Sequence, residues 1–314
     1  MSRSAIVREV ASVMHHGVPP PTLGRVLLSS PDWLPIGLCV VLATVYLLGL
    51  LRLRRRGDRW PVRRTVFWLC GVLVVFLVSG SGFSRYAMVL FSAHMAQHMM
   101  LNMYAPILLV MGAPMTLALR ALPAGRGPWS ARAVLLRLLH SRVLQVLSSM
   151  RVAVALFMLS LFALYFTPLF SILMSTRVGH LGMQAHFLLS GYLFFWTVIG
   201  SDPGPRRPPH LVRILVLLPV NAAHAFFAVI VVFSGTLLGQ PYLGYVSPSW
   251  SSMAWDQALG GAIAGGSAEI PMLVPAVVLF FQWFTRMQPA ADETASAVRP
   301  SGSGHGQVDP LQVR

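Results

Sequence analysis

His94 and His98 lie four residues apart in the run SAHMAQHMMLNMYAPILLVMGAP, from Ser92 to Pro114, and share one face of a helix with Met95, Met99 and Met103 beside them. Imidazole and thioether are ligands for soft or borderline transition metals, Cu(I) above all, and both are unusual in a helix that must live in lipid. Met95 and Met99 follow the two histidines directly, offset by about 100° on a helix of 3.6 residues per turn, so they flank the ligand face. The competing reading is plain apolar filling, since the chain has 16 methionines.

The segments that position these groups are membrane-spanning by composition. Of 314 residues, 55% are hydrophobic and 11% charged, and the apolar runs are long enough to cross a hydrocarbon core of about 30 Å. All 24 basic residues are arginine. Without lysine no retinal or pyridoxal Schiff base forms and no Walker-type phosphate loop is completed, which excludes a rhodopsin. A net charge of +15 would suggest nucleic acid in a soluble protein, but here the arginines fall in short loops between apolar runs, and topology explains them without a nucleic-acid partner. Cys39 and Cys70 each sit alone in an apolar segment, as packing residues do. The first residues lack the apolar core and cleavage site of a secretory signal, so the first span is expected to lead insertion.

The expected architecture is all-α, a polytopic membrane helix bundle of seven transmembrane helices. Residues 1–31 form an extracytoplasmic N-terminal tail carrying Met14, His15 and His16, which a linker or a metal-sampling tail would both explain. Residues 32–287 form the membrane domain, and 288–314 a disordered cytoplasmic tail rich in Ser, Gly and Pro. Spans are expected near 33–51, 65–78, 86–111, 151–166, 178–199, 211–233 and 254–283. Pro106 should kink the third. The connection 112–149 reads as cytoplasmic, with an amphipathic helix over 131–147 lying on the membrane surface.

Arginine counts set the orientation. The first connection has Arg52, Arg54, Arg55, Arg56, Arg59, Arg63 and Arg64, and the third and fifth on the same side are also basic, whereas the opposite loops hold Arg85, Arg177 and none. The N-terminus is therefore expected outside and the C-terminus inside.

On this topology the polar residues gather in the outer half of the bundle. His94 and His98 lie there on span three, His180 and His186 with Met183 at and just inside the outer end of span five, Asn221 and His224 near the middle or in the outer half of span six, and Asp256 near the outer mouth of span seven with Glu269 deeper. A lone membrane histidine is usually a hydrogen-bonded packing residue, but convergence from four helices points to a site. The expected metal ligands are His94, His98, His186 and His224; Met95, Met99, His180, Met183, Asn221, Asp256 and Glu269 are candidates for further ligands or for orienting partners. In particular, Glu269 is expected to accept from His224 and fix its tautomer.

The runs FSAHMAQHMMLNMYAPILLVMGAP, HLGMQAHFLLSGYLFFW followed by SDP, NAAHAFF and WDQALGGAIAGGSAEIP resemble the membrane-integral cytochrome c oxidase assembly factor family called CtaG, of the caa-type oxidases, over roughly residues 33–286. The resemblance implies a multi-pass protein of the bacterial plasma membrane that helps mature a haem–copper oxidase. Its partners would be oxidase subunits, the lipid bilayer and an extracytoplasmic copper donor. The leading expectation is a copper chaperone, not an enzyme, that binds Cu(I) transiently and delivers it to the apo-oxidase. A b-type cytochrome with two histidines on haem, and a copper or proton transporter using His224, Asp256 and Glu269 as a relay, are the alternatives.

Overall fold

The computed structural model describes residues 18–29, 31–123, 127, 129–204, 207–238 and 248–298, with side chains to Thr285. Met14, His15 and His16 lie outside the described residues. The described chain is helical, with no strand. A short helix α1 (Leu23–Leu28) precedes α2 (Trp33–Arg55) and α3 (Val62–Val75), which ends in a π-helical turn, Phe76–Gly80. After α4 (Phe83–Ala87) comes the histidine-bearing stretch: α5 (Phe91–Met99), a second π turn (Met100–Tyr104) and α6 (Ala105–Met111). Helices α7 (Pro114–Ala121), α8 (Ala131–Leu139), α9 (Arg142–Leu147), α10 (Met150–Tyr165), α11 (Leu169–Met174), α12 (Arg177–Ile199), α13 (His210–Phe233) and α14 (Met253–Val298) complete the chain.

Among the described residues, five helical stretches are long and apolar enough to cross a membrane: Trp33–Arg55, Val62–Gly80, Phe91–Ala121, His210–Phe233 and Met253–Thr285. The other two expected spans are helices too, but α10 is a shorter apolar helix of 16 residues. The 23 residues of α12 include His180, Gln184 and His186, which dilute its apolar character. The packing is that of a membrane bundle: Leu48, Leu218 and Leu273 face outward while Gln97, His98, Asn102 and His224 are buried.

The arginine-bearing connections meet at one end. Arg120 pairs with Asp58 at 3.5 Å, and Arg64 and Arg120 lie over the Trp60 ring at 5.0 and 5.8 Å. At the other end Arg177, opening α12, pairs at 2.9 Å with Asp32, the N-cap of α2. The expected surface helix over 131–147 is two helices, α8 and α9, interrupted at His140, with the Ser141 side chain accepting from Leu144 N–H to start the second. The backbone of α14 continues to Val298, past the expected boundary at 287.

Pro106 does not break the third span. Its ring would crowd the carbonyl of Asn102 and it offers no N–H, and the chain accommodates both by widening into the π turn that precedes it. Gly191 on α12 lets this turn come close, because a side-chain carbon there would overlap the backbone carbonyl of Asn102.

Candidate functional site: a buried histidine cluster

The site begins with the placement of α5. Its first N–H groups have no intrahelical acceptor, and Asp256 of α14 supplies one from across the bundle. Asp256 accepts from Phe91 N–H at 2.5 Å, from Ser92 N–H at 3.2 Å and from the Ser92 hydroxyl. The same device recurs at the other end, where Asp202 accepts from Met115 N–H at 3.1 Å and Thr116 N–H at 2.8 Å to start α7. Burial raises the Asp202 carboxyl above the ordinary carboxylate range, against the lowering by its bonds to Thr116 and Met115 and by Arg64.

With α5 so fixed, His94 Nε2 and His98 Nδ1 both lie 2.9 Å from Tyr165 Oη at the end of α10. A tyrosine hydroxyl has one proton and two lone pairs, so it can donate to one imidazole and accept from the other. The two outer ring atoms, His94 Nδ1 and His98 Nε2, are buried with no hydrogen-bond partner. When the hydroxyl bridges in this way and both rings are neutral, one of those outer atoms is an N–H and the other a bare lone pair. When both rings instead donate to Oη, both outer lone pairs are bare and the phenol proton turns away. Phe187 stacks on His98, with centroids 4.0 Å apart and planes within 3°, and Phe170 meets His94 edge-on at 4.9 Å. The pair is thus oriented by one hydroxyl and walled by aromatic rings.

His180 is different. Gln97 Nε2 donates to the Val78 carbonyl at 2.5 Å, in the π turn of the second span, so Gln97 Oε1 is an acceptor and His180 Nε2, 3.1 Å away, must carry the proton. Gln184 Nε2 then donates to His180 Nδ1 at 3.3 Å. Both ring nitrogens are used, which makes His180 a structural residue that joins the third and fifth expected spans.

His186 and His224 lie within electrostatic reach of His98. They do not converge on the point that His94 and His98 share. His186 is exposed, with Nε2 2.8 Å from Ser160 Oγ, and Phe187 lies beside its ring. From Ser160 the contacts continue to Ser190 at 3.1 Å and to Asn102 Oδ1 at 3.0 Å. His224 is buried, 5.5 Å from Phe157 between centroids, with Nδ1 3.4 Å from the Val220 carbonyl and Nε2 without a partner. No group of three or more His, Cys, Asp or Glu among the described residues is arranged to hold a metal ion.

Several expectations need correcting. Glu269 does not orient His224: its side chain is exposed on α14, whereas His224 faces the interior and turns Nδ1 to its own helix. Asp256 serves as a helix cap, so the relay of His224, Asp256 and Glu269 is not formed. Asn221 keeps a buried Oδ1 without a hydrogen-bond partner. Met95, Met99 and Met183 are buried within the bundle, and their placement does not conflict with the expected roles. Tyr165, Gln97 and Asp202 were missed. The signal for Tyr165 was available, since a phenol at the end of an apolar span needs a partner for its hydroxyl.

Long apolar helices enclosing a polar cluster at one end define a polytopic helical membrane protein. The chain belongs to the cytochrome c oxidase caa3 assembly factor family, whose sequence pattern matches residues 44–286. It is 46% identical over 269 residues to the uncharacterized protein Mb0105 of Mycobacterium bovis, covering 84% of this chain and 40% of that protein. The uncharacterized protein MT0111 of Mycobacterium tuberculosis matches to the same extent. The uncharacterized protein ML1998 of Mycobacterium leprae is 44% identical over 248 residues, 78% of this chain and 38% of its own length. This chain therefore spans well under half the length of these relatives. No solved structure matches it.

Proposed function

We propose that this chain assists the maturation of a caa3-type cytochrome c oxidase in the bacterial plasma membrane by holding Cu(I) at the His94–His98 pair and passing it to the apo-oxidase. Family membership supports the oxidase as the partner. The observation that supports copper is the state of the imidazoles: His94, His98 and His224 each keep one buried ring nitrogen without a partner, whereas His180, in the same region, has both satisfied. Cu(I) accepts as few as two soft or borderline ligands and exchanges them stepwise, so a pair suffices where a three-residue cage is lacking. Tyr165 would orient both rings, each donating its inner N–H to Oη and turning its outer lone pair to the metal, as orienting partners do in metal sites. His224 is the reserve ligand, Met95 and Met99 are thioethers on the same helix, and His186 lies nearest the bundle surface.

In this reading α10 and α12 cross the membrane with the five stretches named above, the arginine-bearing end faces the cytoplasm, and the histidines lie toward the outer side, where an extracytoplasmic copper donor would load them. The role is that of a chaperone and not an enzyme. The test is the copper content of the oxidase isolated from cells that lack the chain or carry His94→Ala with His98→Ala. Oxidase depleted of copper, with the variant present at normal amount in the membrane, is the expected result; fully metallated oxidase would refute the proposal.

A further inference from the structure

Glu269 stands at the midpoint of the apolar stretch Met253–Thr285, about 24 Å from each end at the helical rise of 1.5 Å per residue. Its side chain is exposed, and it makes no hydrogen bond or ion pair with the described residues. Ionisable groups at this depth almost always face a bundle interior and pair there, because hydrocarbon offers them nothing. Along the same exposed face lie Ala262, Gly266, Ile270 and Leu273. Gly266 opens onto free space, with nothing within 4 Å of where a side-chain carbon would stand. Small residues in this arrangement let another helix approach backbone to backbone.

We infer that this face of α14 docks a transmembrane helix of the oxidase subunit under assembly, and that the docked helix carries an arginine, lysine or histidine that pairs with Glu269. The inference rests on the assembly role proposed above. The carboxylate selects the occupant: a two-fold related copy of this chain would set Glu269 against Glu269, whereas a basic helix supplies the missing cation.

The test places p-benzoylphenylalanine at Leu273, beside Glu269, or at the outward-facing Leu48 of α2 as control, in the full chain expressed with the oxidase subunits, and irradiates the membranes. A covalent adduct with an oxidase subunit is expected from position 273 and not from 48. Its yield should fall at least tenfold with Glu269→Ala or the near-isosteric Glu269→Gln, and persist with Glu269→Asp. An adduct between two copies, adducts with lipid alone, or a subunit adduct indifferent to all three substitutions would overturn the docking face. A strain lacking the chain separates the two claims. If oxidase fails to accumulate there while position 273 yields no subunit adduct, only the docking face falls; if oxidase accumulates normally, the assembly role falls with it.

Discussion

Asp256 caps the helix that begins at Phe91 from 165 residues further along the chain, accepting its backbone N–H at 2.5 Å. The relationship ties the last long helix to the one that carries His94 and His98, and so sets where the histidine face points. Asp256→Ala should lower the stability of the folded protein by about 1 kcal/mol, the usual cost of a lost N-cap. Thermal unfolding in detergent would show it. The Cu(I) affinity of the molecules that remain folded should be nearly unchanged, and a collapse of affinity at unchanged stability would instead make Asp256 a ligand.

Tyr165→Phe removes the one group bonded to both His94 Nε2 and His98 Nδ1 and keeps the ring that packs against Phe91 and Phe170. Loss of such interhelical bonds costs about 0.6 kcal/mol each, so the protein should still reach the membrane. Cu(I) affinity is expected to fall roughly 10- to 100-fold, as it does when an orienting partner of a metal ligand is removed. A competition titration with a chromogenic Cu(I) chelator reads this directly.

His180→Ala should behave in the opposite way. It breaks the run Val78–Gln97–His180–Gln184, leaves Gln97 Oε1 buried and unpaired, and lowers the amount of protein in the membrane while copper affinity stays within about twofold. Immunoblotting of membranes beside the same chelator titration separates this result from ligand loss.

Gly191→Ala tests the packing of the π turn. The added carbon would meet the Asn102 carbonyl, and overpacking of this kind costs typically 1–3 kcal/mol. Reduced thermal stability is expected, in contrast to Gly182→Ala on the same helix, where nothing lies within 4 Å.

Much of this was legible from residue types. Long apolar runs marked the helices, and the four-residue spacing of His94 and His98 placed both rings on one side, where Tyr165 meets them. What escaped was the partner in each case. Depth along a span placed Glu269 level with His224, but azimuth decides contact, and the helical phase of Glu269 is that of Gly266, Ile270 and Leu273, which face outward. Asp256 and Asp202 escaped for another reason. A carboxylate in an apolar run reads as a site, and the helix N-terminus it satisfies is distant in sequence, so only the packed bundle reveals the pairing. His180 looked like its neighbours until the amide orientation of Gln97, set by the Val78 carbonyl, used up both of its nitrogens.

The most direct measurement is Cu(I) stoichiometry and Cu K-edge X-ray absorption on the purified protein loaded with Cu(I) under anaerobic conditions. One copper per chain with the outer-shell scattering of imidazole is predicted, and the same experiment on the variant carrying His94→Ala with His98→Ala should find that copper lost while the thermal transition is retained. A colourless, folded protein that takes up no Cu(I), copper retained in full by that variant, or a Soret band in the optical spectrum that reports haem on these histidines would contradict the account.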